Sequence, residues 1–155
     1  MATGTIKWFD QGLLDLGNKI HNLSSDTLNL AIVTTATVPS KTTAAPHYGG
    51  TGTTNFATNA VATATAWTGP VALASKTWAI VAGVPSLRAA IVNIAQDAGG
   101  FTNGAYGIIY NNTDANKRAL GFVELSSGGT LSLVSGSVVI DWSGAGDDIL
   151  TLTQS

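Results

Sequence analysis

The segment Ala105-Tyr106-Gly107-Ile108-Ile109-Tyr110, followed by Asn111-Asn112-Thr113-Asp114-Ala115-Asn116 and then by Ala119-Leu120-Gly121-Phe122-Val123-Glu124-Leu125, decides the fold class. Two runs rich in β-branched and aromatic residues flank a run of turn-formers, and this predicts an antiparallel hairpin. Downstream, the spacing predicts strands at Thr130–Val134, Ser137–Trp142 and Ile149–Thr153. Ser126-Ser127-Gly128-Gly129, Ser135-Gly136 and Gly144-Ala145-Gly146-Asp147-Asp148 break them apart. Upstream, Val71–Ala74 and Thr77–Val81 read as strands with a turn near Ser75-Lys76. Thr27–Thr34 alternates and then turns wholly apolar, as suits a strand buried on one face or both. Short strands at this spacing predict an all-β fold, a sandwich or barrel.

Two regions depart from that rhythm. Trp8, Phe9, Leu13, Leu14, Leu16, Ile20 and Leu23 recur at steps of three and four, which predicts an N-terminal helix ending at Asn22–Asp26 with its apolar face docked. Residues 1–23 are thus an arm and helix on one domain spanning 1–155. The tract 36–67 is rich in Thr, Ala, Gly and Asn, carries Pro39, Pro46 and Gly49-Gly50-Thr51-Gly52, and predicts a long loop. Such a loop is either an arm over a neighbouring subunit or a floppy surface segment. Ser86–Ile94 stays open between helix and strand on periodicity alone.

Charged residues make up 10% of the 155 residues, against ~25% in ordinary domains. A surface so poor in charge is weakly protected against association and suits a protein that is partly covered by partners. The formal net charge of −2 and the scattered basic residues give no footprint for nucleic acid. No run approaches the length of a membrane span, and the N-terminus does not read as a secretion signal. Without cysteine, the chain has no disulfide, thiolate metal site or thiol nucleophile.

Catalytic chemistry is not legible. His21 and His47 are the two histidines, the first beside the apolar helix face and read as a packing residue, the second in the loop tract. There is no zinc-protease motif, acidic calcium loop or nucleophile elbow. Gly49–Thr54 lacks the Lys-Ser/Thr ending of a phosphate loop. Asp147-Asp148 reads as a solvated turn. Glu124 and Asp141 are the strand carboxylates open to a glycosidase reading, and both are expected to have polar partners instead. The expectation is a non-enzyme with no cofactor and no metal. Trp78 and Trp142 are expected in the core, whereas Trp67, in Thr65-Ala66-Trp67-Thr68-Gly69-Pro70, is the candidate exposed aromatic.

Taken in order, three stretches resemble one family. They are Asn22–Val33, with its helix, Ser-Asp-Thr and strand; Ala105–Thr113, with its Tyr-rich strand and Asn-Thr turn; and Ala119–Leu125 with the closing Ile140-Asp141-Trp142 and Ile149-Leu150. Together they resemble the jelly-roll head cement proteins of short-tailed phages of the Bordetella type. The resemblance implies a jelly-roll-like antiparallel β-sandwich on the outer capsid surface of a virion, clamping neighbouring copies of the major capsid protein, often as a homodimer. It also favours a strand at 87–95 and supplies no catalytic residues. The long tract before Trp67 departs from the family. Ile6, Trp8, Tyr48, Trp67 and free strand edges are the candidate contacts. The rival expectations are a tail or adaptor subunit and a carbohydrate-binding β-sandwich.

Overall fold

A computed structural model describes residues 6–142 and 148–151. The arm from Thr3 to Thr5, the turn at 144–147 and the end of the last strand at Leu152-Thr153 lie outside the described residues.

The hairpin that decides the fold forms as expected. Strands β9 (Tyr106–Asn111) and β10 (Ala119–Glu124) pair antiparallel, with a register shift between Ala119 and Gly121. They lie at the centre of a sheet completed by β1 (Lys7–Trp8), β2 (Leu28–Val33) and β5 (Val71–Ala72), in the order β1-β10-β9-β2-β5. The other strands are β3 (Pro46–His47) parallel to β4 (Thr54–Asn55), β8 (Val92–Ile94) with β11 (Val138–Ile140), and a sheet of order β12-β7-β6. In that last sheet β6 is Thr77–Val81, β7 is Val84–Arg88 and β12 is Asp148–Thr151. The fold is mainly β, antiparallel but for the β3–β4 pair, with one short helix. These pairings do not by themselves trace the two sheets of a jelly roll. The stretch left open at 86–94 forms no helix: its first three residues belong to β7, its last three are β8, and 89–91 connect them.

The wholly apolar β2 has a physical reason: the five-stranded sheet is covered on both faces. Leu28, Leu30 and Ile32 point with Ile109 and Val123 into the larger core, which also holds Leu87, Ile94, Leu125, Ile140 and Trp142. Ala31 and Val33 point with Ile108, Tyr110 and Phe122 into a second core closed by Phe9 and Phe56. Cross-strand partners agree with this alternation, Leu30 opposite Ile109 and Ala31 opposite Ile108.

The second core corrects the reading of the tract 36–67. It is not a floppy segment, because it folds back onto its own sheet. Pro39, Pro46, His47, Phe56, Val61 and Trp67 are all buried. A 3-10 turn at Phe56–Asn59, capped by the Asn55 side chain accepting from Ala57 N, carries Phe56 onto Phe9 with ring centroids 5.9 Å apart.

The N-terminal helix is shorter than its periodicity predicts. Helix α1 is Asp10–Gly17; Trp8 lies in β1 and Phe9 is the N-cap. Its buried face also differs in part from the expected stripe: Leu16 packs against the larger core, but two leucines do not. Gly12 and Asp15 are buried, while Leu13 and Leu14 are exposed, Leu14 at 57%. The helix rests on the backbone of β10 at Leu120, an approach open only to a residue without a side chain. That turns the Gly12 face to the sheet and leaves Leu13 and Leu14 outside. A second correction concerns Thr130–Val134, which is not a strand. Leu131 makes one bridge to Gly104, and the backbone of Leu133 bonds Phe101 and Asp97, so the segment is a tight loop plugging the core with Leu133.

Candidate functional site

Two features are candidates for function, an apolar finger and a buried polar cluster. The finger is the β6–β7 hairpin. Val81 pairs with Val84, leaving the two-residue loop Ala82-Gly83, and both have positive φ (51° and 83°), as a type I′ turn requires. From Thr77 to Leu87 there is no ionisable side chain. Trp78 sits half-buried against the core opposite the buried Leu87. Two residues further out on the same face, Ile80 is 75% exposed. Burial fades along the hairpin because its tip projects beyond the core. The outer edge of β6 pairs with no strand among the described residues. Edge strands are ordinarily guarded by charge, a bulge or proline, and β6 carries none of these.

The polar cluster lies beneath α1. Asp15 is 3% exposed; its Oδ1 accepts from Gln11 Nε2 at 2.8 Å, one helical turn away. Its Oδ2 has no hydrogen-bond partner among the described residues and lies 4.0 Å from both His21 Nε2 and Arg118 Nε. Arg118 Nε is in turn 3.8 Å from Asp114 Oδ2. The chain delivers His21 by leaving α1 through Lys19 in the left-handed region (φ 62°), with Ile20 N donating to Asp15 O.

Asn111 fixes the protonation of His21. Its Oδ1 accepts from the backbone N–H groups of Thr113 and Asp114, so its Nδ2 must face the other way. There it donates to Asp26 Oδ2 at 2.6 Å and to His21 Nδ1 at 3.2 Å. The proton of neutral His21 is therefore on Nε2, aimed at Asp15. Burial lowers the pKa of His21 and outweighs the opposing pull of Asp15, Asp114 and Asp26. The ring is neutral at pH 7, and its pairing with Asp15 is not an ion pair there.

The residues expected to make contacts do not converge. Trp67 is corrected outright: at 2% exposure it is in the larger core, edge-on to Phe101 at 6.3 Å, and presents no aromatic platform. Ile6 and Trp8 are half-buried against that same core. Tyr48 is on the opposite side of the sheet, its ring stacked on Tyr110 at 4.8 Å. Of the expected core tryptophans, Trp142 is buried, with Nε1 donating to Ala90 O. His47, expected in an unpacked tract, is buried with Nδ1 3.3 Å from Ala45 O. Glu124 accepts from Gly128 N and Asp141 also has a partner. No group of three or more His, Asp or Glu able to hold a metal occurs among the described residues. None of their helices is long and apolar enough to cross a membrane.

Sequence reasoning missed Asp15, Asp114 and Arg118. One signal was present: Gln11, Gly12 and Asp15 share a helix face by spacing, and a glycine on that face marks where another backbone comes close. No known protein family, no curated protein and no solved structure matches the chain.

Proposed function

We propose that this chain is a structural protein of a phage virion that binds the outside of the capsid and cements neighbouring major capsid subunits. The observation that carries this reading is the uncharged β6–β7 finger, with Ile80 exposed and the β6 edge open. An edge of this kind adds a strand from a partner through main-chain hydrogen bonds, while the apolar tip fills a pocket between subunits. Each contact is modest. Repeated over a symmetric shell, many such contacts stabilise it more than any one does. The charge-poor surface supports the same reading, since it suits a face that spends its life covered. On this reading the exposed Leu13 and Leu14 of α1 offer a second contact, either to the shell or to another copy of the chain.

Co-expression with the major capsid protein of its own phage, followed by electron microscopy of the shells, tests the proposal. Wild-type chain is expected as regular density on the outer surface. Ile80→Lys is expected to fold normally and leave the shells bare, because it puts charge on the finger without touching the core. A well-folded wild-type chain that never decorates these shells would overturn the proposal, and rings of the free protein would favour a tail or adaptor subunit.

A further inference from the structure

Asn111 is fully buried, and both ends of its side-chain amide are taken up by groups of this chain. Its Oδ1 holds the N–H groups of Thr113 and Asp114, at 2.9 and 3.1 Å, in the turn that joins β9 to β10. Its Nδ2 reaches both Asp26 Oδ2, at 2.6 Å, and His21 Nδ1, at 3.2 Å. One nitrogen therefore stands between the imidazole and the Asp26 carboxylate. We propose that His21 and Asn111 form a proton-operated latch: on protonation the ring exchanges Asn111 for Asp26, and the turn at 112–116 loosens while the sheet stays folded. The inference is independent of the capsid-binding reading.

The chemistry of the change is set by one atom. Neutral His21 already carries its proton on Nε2, so a second proton can go only to Nδ1. That turns an acceptor into a donor facing Asn111 Nδ2, which has nothing but donors. Two buried donors cannot satisfy each other. Turning the amide over gives no relief. It would set Oδ1 against the Asp26 carboxylate and Nδ2 against the N–H groups of Thr113 and Asp114. The Asn111 side chain has to withdraw.

Withdrawal opens a well-paired alternative. Asp26 Oδ2 also accepts from Asn22 N at 2.8 Å, so the carboxylate stays in place when the amide leaves and can accept from Nδ1–H directly. A bond between imidazolium and carboxylate is charge-assisted and stronger than the neutral one it replaces. Of the other charges around the ring, Asp15 on α1 and Asp114 in the turn favour its protonation, and Arg118, just before β10, opposes it. Burial outweighs the carboxylates and keeps the ring neutral at pH 7, so the latch is closed there and opens as pH falls below 6.5. Freeing the turn costs little, because Thr113 is exposed and water can replace Asn111 Oδ1. Asn112 N still donates to Thr27 O, and Thr27 N to Thr113 Oγ1, which confines the opening to the turn.

The test is NMR of the full-length, isotope-labelled chain as pH is lowered from neutrality, with the His21 ring carbons reporting its protonation. The Asn111 side-chain amide and the backbone amides of Thr113 and Asp114 are expected to shift with the same midpoint as the ring. Below it, the two backbone amides are expected to exchange about tenfold faster or more, the loss that goes with one hydrogen bond. The amides of Leu30 and Ile109, within the sheet, are expected to stay protected. Asp26→Asn can still accept from Asn111 but offers the ring no charge, so it is expected to move the ring and turn midpoints down together. His21→Gln is expected to remove the turn transition, and Asp26→Asn keeps the comparison decisive if that variant does not fold. Titration of His21 with the Thr113 and Asp114 amides unmoved, or a turn transition whose midpoint differs from that of the ring, would overturn the proposal. So would a turn midpoint unchanged in Asp26→Asn, or a ring that stays neutral until the whole sheet unfolds.

Discussion

Gly12 rests directly on the backbone of Leu120, so that a Cβ placed on it would stand 2.5 Å from the Leu120 carbonyl oxygen. A few residues on, Gly17 has nothing within 4 Å of the same hypothetical atom. The two glycines belong to one helix, and ordinary helix propensity favours alanine over either by about 1 kcal/mol. Context separates them. Gly12→Ala is expected to lower the melting temperature, because α1 must lift off β10 and uncover the polar cluster. Gly17→Ala is expected to raise stability by up to about 1 kcal/mol. Urea denaturation of both variants checks the pair, and equal effects would contradict the docking of α1 through Gly12.

Trp67 is expected to behave as a core residue. Truncating a buried tryptophan leaves a large cavity, and Trp67→Ala is expected to cost about 3–5 kcal/mol, read as a shift in the urea midpoint. Trp67→Phe keeps part of the packing against Phe101 and is expected to cost less. A Trp67→Ala variant of unchanged stability would return this residue to the surface.

The contrast between Trp67 and the central hairpin shows which parts of the fold are legible. Strands β2, β9 and β10 could be read because their period of two and the Asn111–Asn116 turn are local signals. Trp67 sits among Thr, Ala, Gly and Pro, a local pattern typical of surface loops, and it is buried in a core whose other members, Phe101 among them, are mostly distant in sequence. For α1, leucine spacing gave the helix but not its face, which depends on the approach to Leu120. The polar cluster draws its members from residues 11–26 and 111–118, and pairing of β2 with β9 brings Asn111 opposite Leu28, beside Asp26. Local periodicity carries no trace of such an assembly. The β6–β7 finger was partly legible: Thr77–Val81 read as strand, but nothing local says that Ile80 lies beyond the edge of the core.

His21 makes stability depend on pH in a defined direction. Burial holds its pKa below the ordinary value of 6.5, so the folded chain keeps the ring neutral where the unfolded chain begins to protonate it. The unfolded state then binds more protons. Stability contributed by the neutral ring is full above pH 6.5 and is lost as pH falls from there toward the lower folded-state pKa. Urea midpoints measured downward from neutral pH are expected to decline across that window. In His21→Gln, which keeps a polar group but does not titrate, this decline is expected to shrink. An equal slope in both proteins would place the proton uptake elsewhere.

The tip of the β6–β7 finger is strained in a way that can be relieved. Ala82 and Gly83 both have positive φ, a conformation glycine adopts freely but one that costs an alanine about 1–2 kcal/mol. Asparagine tolerates this region better, and Asn-Gly is the favoured pair for a two-residue hairpin loop. Ala82→Asn is therefore expected to stabilise the hairpin by about 1 kcal/mol, seen as a higher melting temperature and slower amide exchange at the Val81 and Val84 ends of the strands. Gly83→Ala, which adds a second non-glycine residue at positive φ, is expected to do the reverse. Ala82→Asn adds no charge to the finger, so the capsid contact proposed for Ile80 and the β6 edge is expected to survive Ala82→Asn and to fail in Ile80→Lys. Loss of shell decoration in Ala82→Asn with the hairpin intact would contradict the proposed contact through Ile80 and the β6 edge.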